Sequence, residues 1–186
     1  EAEQFTFQTF ADTAEGKAED KALGKQGQPL RYAAVKTGSL DGLAEWLTRK
    51  NRDGAGVFVT VNETDGDGRR YANIQRIRAI WQEADNGDEP DLPLDPHIVV
   101  ESSPGKHHRY LLTDDAPLDE FEPVQRRMVD DYGSDPDAKD RARVLRLPGF
   151  FHRKKPDHPH MVQIIHESGA QPYAWDVIKT HIPPVE

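Results

Sequence analysis

The alternation of apolar and polar positions along the chain predicts a protein rich in short strands. Residues 5–10 read Phe-Thr-Phe-Gln-Thr-Phe, and three cycles of this alternation are typical of a half-buried strand. Short runs of apolar and β-branched residues predict further strands. These runs lie at residues 30–35, 57–61, 97–101, 107–112 and 161–166, and residues 143–147 are expected to be extended. Residues 97–101 and 107–112 flank a Ser-Pro-Gly turn, which predicts a hairpin.

Helical spacing of apolar residues predicts three helices. Ser39 is a suitable N-cap for a helix at residues 40–51, and residues 118–132 and 174–181 show the same spacing. Residues 71–85 begin with helical character and end as a strand. Because strands and helices do not alternate as regular βαβ units, we expect an α+β fold.

The polar segments and the length predict how the chain is organised. Residues 12–28 and 62–68 are polar and contain glycine, which is typical of loops. A length of 186 residues suits one domain, so we expect residues 1–186 to form a single domain in which residues 1–28 are partly a flexible arm. The missing initiator methionine and the Pro183-Pro184 ending indicate a piece of a longer polypeptide.

Composition narrows the chemistry. The chain contains no cysteine, which excludes disulfides, thiolate zinc sites and a cysteine nucleophile. The late histidines follow no known zinc spacing. No apolar stretch reaches the roughly 18 residues of a membrane helix, and the first residues lack the pattern of a signal peptide. We therefore expect a cytoplasmic protein without a membrane partner.

The net charge of −9 is unusual for a protein that binds phosphates. The charges are segregated, however. Residues 141–155 carry only basic charges, and residues 69–78 contain no acid. This segregation predicts a basic groove on an acidic body.

The first candidate motif is Glu83-Ala84-Asp85, at the end of a predicted strand. Side chains two residues apart on a strand point to the same side, so Glu83 and Asp85 could share a divalent cation. Two acids with this spacing also occur by chance at solvated strand ends. The apolar lead-in Ile80-Trp81 favours the functional interpretation.

The second candidate motif joins Ser103 to His108. A glycine-bearing turn followed by Lys106, His107 and His108 can place backbone N–H groups, an ammonium and an imidazole around phosphate oxygens. It does not fit the P-loop pattern, which has Ser or Thr after its lysine. A plain hairpin turn with surface histidines is the alternative.

The third candidate motif follows an acid with spaced arginines. Asp140, with Asp137 as a rival, precedes Arg143 and Arg146, and guanidinium groups pair well with phosphate. The alternative is a basic edge strand that protects the sheet from aggregation.

In this order, the three motifs resemble those of the RepB-like branch of archaeo-eukaryotic primases of phages, prophages and plasmids. That family has an apolar strand ending in acid-x-acid, then a Ser-x-His-like element, then an Asp followed by Arg-x-x-Arg-x-Pro-Gly. The matching segments are residues 79–85, 103–108 and 140–149, and the similarity extends over most of the chain.

The resemblance implies a primase-polymerase catalytic core with RRM-like mixed sheets flanked by helices. It implies Glu83, Asp85 and Asp140 as ligands of two Mg²⁺ or Mn²⁺ ions, and Lys106 with His108 as contacts to the triphosphate of an NTP or dNTP. The implied activity is nucleotidyl transfer during phage, prophage or plasmid replication, on a single-stranded DNA template and with a fused or associated replicative helicase.

The mechanism expected for such an enzyme assigns the remaining basic residues. Ser103, Arg143 and Arg146 are expected to join Lys106 and His108 at the nucleotide. The template is expected on the other basic positions, namely Arg69, Arg70, Arg76, Arg78, Arg153, Lys154 and Lys155. Two alternatives stay open at this point, a non-catalytic DNA-binding replication initiator and a metal-dependent nuclease.

Overall fold

Two four-stranded sheets form the centre of the molecule. The computed structural model describes residues 3–84 and 89–186. The first sheet contains β1 (Phe5–Ala11), β2 (Ala34–Gly38), β3 (Ala55–Thr60) and β9 (Val144–Arg146), in the order β2-β1-β3-β9. The second sheet contains β6 (Ala79–Ala84), β7 (Ile98–Ser103), β8 (Lys106–Leu112) and β12 (Gln163–Glu167), in the order β12-β7-β8-β6.

Shorter elements complete the fold. Two small ladders pair β4 (Glu63–Thr64) with β5 (Ile74–Arg76), and β10 (Phe151–His152) with β11 (His160–Met161). The helices are α1 (Ala14–Lys25), α2 (Leu40–Arg52), α3 (Phe121–Tyr132) and α4 (Trp175–His181). No helix in residues 3–84 or 89–186 is long and apolar enough to cross a membrane.

The apolar faces of helices and sheets meet in two cores. Ser39 caps α2 by accepting a hydrogen bond from the Gly42 N–H, as its sequence predicts. The α2 residue Leu47 packs with Phe7 and Val57 of the first sheet. The larger core lies on the second sheet, where α3 and α4 bury an apolar set. Its bulkiest members are Trp81, Leu111, Phe121, Met128 and Ile178.

The α+β prediction is confirmed, and so is the hairpin of β7 and β8. The described sheets pair only antiparallel strands, where mixed sheets were expected. The predicted helices at residues 40–51, 118–132 and 174–181 correspond to α2, α3 and α4, the last two starting a few residues later.

The predicted loop at residues 12–28 is wrong, because residues Ala14–Lys25 form α1. Thr13 caps this helix through the Gly16 N–H, and the carboxylate of Asp20 accepts hydrogen bonds from the backbone N–H groups of Arg31, Tyr32 and Ala33. These polar contacts replace the apolar stripe on which helix prediction depends. They also fix residues 31–33, so that β2 begins at Ala34 rather than at residue 30.

The stretch from residue 71 to 76 is not an α-helix. It forms a 3-10 turn at Tyr71–Asn73 followed by β5. Asn73 stabilises this turn, since its side-chain NH2 group donates to the Asp65 carboxylate and its side-chain Oδ1 atom accepts from the Arg70 backbone N–H. Strand β6 then follows, as its apolar pattern predicts.

Candidate active site

A cleft of about 630 Å³ opens where the two sheets meet. One wall comes from β1, β3 and β9, and the other from the ends of β6, β7 and β8. Charged and imidazole side chains dominate the lining, namely Asp12, Lys17, Asp20, Glu83, Lys106, His108, Arg143, Arg146, His152 and Lys154. The volume lies within the range of about 300–1,000 Å³ typical of small-molecule sites.

Glu83 is the buried carboxylate at the centre of this cleft. It is the penultimate residue of β6 and is only 7% exposed. Its Oε2 atom accepts hydrogen bonds from Arg143 Nη2 at 2.8 Å and Arg143 Nε at 3.2 Å. Its Oε1 atom lies 3.9 Å from Nε2 of His108, which is its cross-strand neighbour on β8. The structure therefore brings together one residue from each predicted motif.

His108 is held neutral by its surroundings. Burial, followed by the positive charges of Arg146 and Arg143, lowers its pKa to about 3. Among the described residues, its buried Nδ1 atom has no hydrogen-bond partner. A neutral imidazole keeps one N–H donor, so His108 can donate one hydrogen bond to an oxygen of a bound molecule.

Asp12 and Arg146 form a second buried pair in the cleft. Arg146 Nη2 lies 2.8 Å from Asp12 Oδ1, and Arg146 Nη1 lies 3.2 Å from Asp12 Oδ2. The Asp12 Oδ2 atom also accepts from the Arg153 backbone N–H at 2.7 Å. The pair passes over Gly56, where an added Cβ would come 2.5 Å from Asp12 Oδ1. Glycine at position 56 thus makes room for this ion pair.

The β7–β8 turn and the segment after β9 form the mouth of the cleft. Ser103 and Lys106 lie at the ends of the turn, whose Gly105 has a φ of +72°. The His152 Nδ1 atom donates to the Ser102 carbonyl at 3.0 Å, because a carbonyl can only accept. In a neutral ring the Nε2 atom is then an acceptor, and it is buried with no hydrogen-bond partner in the part of the chain that the structure describes.

The basic residues predicted for the template separate into groups. Arg76 and Arg78 lie away from the cleft, where Arg76 Nε is 2.6 Å from Glu63 and Arg78 is 3.1 Å from Glu3. Arg69 donates to the Gln8 side chain, and its guanidinium lies 5.5 Å from the centre of the Phe10 ring at the cleft wall.

The other predicted template residues are more accessible or lie closer to the cleft. Arg70 and Lys155 are exposed, and Lys154 lines the cleft. Arg153 stacks its guanidinium 5.1 Å from the centre of the Phe151 ring. Among the residues predicted for the template, Lys154 therefore lines the cleft, and Arg69 contacts the ring of a residue in its lining.

The two acids of the third motif lie at the surface of the protein. Asp140 is exposed and accepts a hydrogen bond from the Ala142 N–H, and Asp137 is also exposed. Asp135 lies directly beside the end of β6, because its N–H donates to the Glu83 carbonyl at 2.9 Å. Ser134 Oγ in turn accepts from the Glu83 N–H at 3.0 Å. Asp85, the second acid of the first motif, lies outside the described residues.

The carboxylates near Glu83 have the donor chemistry that Mg²⁺ and Mn²⁺ prefer, since both ions favour oxygen ligands. Within residues 3–84 and 89–186, no three His, Asp or Glu side chains are already arranged as metal ligands. The carboxylate oxygens of Glu83 and Asp135 are the kind of ligand that such an ion takes. Asp85, two residues after Glu83 in the sequence, carries a third carboxylate.

The comparisons with known proteins agree with this geometry. The family described as the RepB DNA-primase N-terminal domain matches residues 86–183, which is more than half of the chain. The chain belongs to the RepB primase family. None of the curated proteins matches the sequence significantly.

Solved structures show that the fold is that of archaeo-eukaryotic primases. The AEP domain of the cyanophage S-2L primase-polymerase is 19% identical, with a TM-score of 0.69, and the match covers 97% of this chain and 89% of that one. The catalytic domain of primase RepB′, solved in complex with initiator DNA, is 21% identical, with a TM-score of 0.62 and coverage of 91% and 80%. The resemblance seen in the sequence is confirmed.

Two residues of the cleft lining, Asp12 and His152, were not predicted as site residues, and neither was Asp135 beside the end of β6. Asp12 lies two residues after the predicted strand at residues 5–10 and falls in the predicted loop. Asp135 follows the Gly133 cap that ends α3 and precedes Pro136, so the sequence signals only the end of the helix there. His152 is one of the late histidines, and nothing in its local sequence reveals its contact with Ser102.

Proposed function

We propose that the chain is a metal-dependent nucleotidyltransferase that synthesises primers or extends DNA on a single-stranded template. Membership of the RepB primase family and the primase fold support primase-type activity. The observation that carries the finer proposal is the cleft itself. It sets the Glu83 carboxylate opposite cationic side chains of three segments, represented by Lys106, Arg146 and Lys154.

The basic side chains of the cleft suit the triphosphate of an NTP or dNTP. Arg143 and Arg146 are oriented by Glu83 and Asp12, and each carboxylate accepts from two nitrogens of its guanidinium. The N–H groups that remain on each guanidinium can donate to phosphate oxygens. His108 adds one neutral donor, and Lys106 and Lys154 add positive charge. Ser103 lies in the same wall and completes the proposed nucleotide contacts.

In nucleotidyl transfer the 3′-hydroxyl of the growing strand attacks the α-phosphate and pyrophosphate leaves. The protein mainly positions the reacting groups and neutralises the phosphate charge. Bound Mg²⁺ or Mn²⁺ would supply activation of the hydroxyl and neutralisation of the phosphate charge. We propose Glu83 and Asp85 as its ligands. We favour Asp135 over Asp140 as the third, because the Asp135 backbone N–H donates to the Glu83 carbonyl and so sets residue 135 beside the Glu83 segment.

The remaining assignments are also proposals. The template would pass the basic residues nearest to the cleft, Arg69 and Arg70, in place of Arg76 and Arg78, which lie among carboxylates. A cytoplasmic location and a fused or associated replicative helicase stay predictions.

The decisive assay measures incorporation of labelled NTPs and dNTPs on unprimed and primed single strands, with Mg²⁺ or Mn²⁺. The wild type should extend or synthesise strands, and Glu83→Gln should abolish the products while the protein stays folded by circular dichroism. Asp135→Asn should also abolish the products. Asp140→Asn and Asp137→Asn test whether one of these rival acids is the third ligand instead. Loss with Asp140→Asn alone would return the third ligand to that residue. Shortening of the labelled strand would instead indicate a nuclease, and DNA binding without incorporation would indicate an initiator module.

A further inference from the structure

Tyr71 is an exposed aromatic residue whose position the proposed function does not explain. It begins the 3-10 turn before β5 and is 49% exposed, the only aromatic among the large side chains that stand out from the described surface. The guanidinium of Arg141 lies over one face of its ring, 3.6 Å from the ring centre. Arg141 covers one face of the ring, and about half of the residue remains in contact with solvent.

The Arg141 guanidinium also contacts the segment at the start of α3. Arg141 Nη1 donates to the Leu118 carbonyl at 3.0 Å, and Arg141 Nε lies 3.8 Å from the Glu122 carboxylate. These contacts tie Arg141, and through the stacked ring Tyr71, to that segment. A planar surface held in this way binds a second planar group without a large loss of side-chain entropy.

The stacked pair is close in sequence to residues at the cleft. Tyr71 is two residues after Arg69, whose guanidinium covers the Phe10 ring of the cleft wall. Arg141 is two residues before Arg143, which holds Glu83. Two residues of extended chain span at most about 7 Å, so both segments connect the pair closely to the cleft.

The surroundings of Tyr71 hold charges of both signs, since Arg141 covers the ring and the Glu122 and Asp140 carboxylates also act on it. Electrostatic attraction to phosphates alone would not distinguish a single strand from a duplex here. Stacking on an aromatic ring does not depend on net charge and contributes about 1–3 kcal/mol per unpaired base.

We propose that Tyr71 and Arg141 form a stacking platform for an unpaired base of the template strand close to the cleft. An aromatic face requires an accessible base face, which a single strand offers and a duplex does not. The identification of the bound strand as the template rests on the proposed function. The binding of single-stranded DNA does not, and it can be measured without nucleotide or metal.

The test measures anisotropy of a fluorescein-labelled single-stranded oligothymidylate with wild type, Tyr71→Leu and Tyr71→Phe. Leucine keeps apolar bulk against Arg141 but loses the aromatic face, so the affinity of Tyr71→Leu should fall about 5- to 150-fold, as the stacking energy implies. Phenylalanine keeps the face and should bind within about threefold of wild type. Leu40→Ala, an exposed apolar change on α2, serves as the surface control and should bind like wild type.

Salt and an abasic strand separate stacking from charge. Tyr71→Leu should leave the slope of affinity against salt unchanged, whereas Arg70→Ala should reduce it by about one. On an oligonucleotide that lacks its bases, wild type and Tyr71→Leu should bind equally. Wild-type affinity of Tyr71→Leu for the oligothymidylate would overturn the platform, and so would an equal loss on duplex or abasic DNA. Failure of Glu83→Gln to stop incorporation would overturn the proposed function and leave this binding result intact.

Discussion

Removing the carboxylate of Asp12 should destabilise the protein far more than removing an ordinary surface acid. The Asp12 side chain is 3% exposed, and that of its partner Arg146 is 14% exposed. Breaking a buried ion pair by deleting one partner costs about 3–5 kcal/mol, since the other charge stays buried without compensation. Asp12→Ala also takes away the acceptor of the Arg153 N–H. We therefore expect a loss of about 3–5 kcal/mol in the free energy of unfolding.

Urea unfolding followed by circular dichroism measures this loss directly. In thermal unfolding of a domain of this size, the same loss should lower the melting temperature by about 6–20 °C, at about 2–4 °C per kcal/mol. Asp114→Ala is the matched control, because Asp114 is exposed, and its effect should stay within about 0.5 kcal/mol.

Gly56→Ala is a second substitution that tests the ion pair of Asp12 and Arg146. The new methyl group would lie 2.5 Å from Asp12 Oδ1 and 2.8 Å from Arg146 Nη1, so the pair has to separate although both charges remain. Because the two substitutions damage one contact, their combined cost should be clearly less than the sum. A loss below about 1 kcal/mol for Asp12→Ala, or strict additivity with Gly56→Ala, would refute the role assigned to this pair.

Two further predictions concern the nucleotide contacts and pH. Lys154→Met should raise the KM for the nucleotide about 10- to 100-fold, since a charge-assisted hydrogen bond contributes about 1.5–3 kcal/mol; the exposed Lys25→Met is the control, and equal KM values would remove Lys154 from the site. His108, with a pKa lowered to about 3 by burial, takes up its proton only after unfolding when the pH lies between about 3 and 6.5. Stability should therefore fall by up to about 1.4 kcal/mol per unit as the pH drops through that window, and urea titrations of His108→Gln should show a shallower fall.

Much of the fold could be predicted because apolar periodicity reflects burial directly. Strands β1, β3, β6 and β8 carry the side chains of the large cores, and each was predicted within a few residues. Helix α1 was missed because polar contacts hold it. Thr13 caps the helix, and the Asp20 carboxylate accepts hydrogen bonds from three backbone N–H groups. Polar contacts of this kind do not produce an apolar stripe in the sequence.

The candidate site was predictable where a motif sits on one element, and not where it depends on tertiary contacts. Glu83 and His108 occupy paired positions on neighbouring strands, so motif order and strand prediction lead to both. Asp12 and Arg146 are 134 residues apart in sequence, and only the pairing of β3 with both β1 and β9 brings them together. The choice between Asp135 and Asp140 likewise depends on which backbone pairs with β6.

Local charges bear on how a chain of net charge −9 could bind the triphosphate that we propose. Charges further than about 10 Å from the cleft are largely screened at 0.1 M salt, so the acids of distant segments have little effect on a bound anion. Within the cleft, Glu83 and Asp12 orient Arg143 and Arg146 but also offset part of their charge. Lys17, Lys106 and Lys154 add positive charge to the lining, and Asp20 adds negative charge. The charge of the cleft is therefore a local property that the total charge of the chain does not predict.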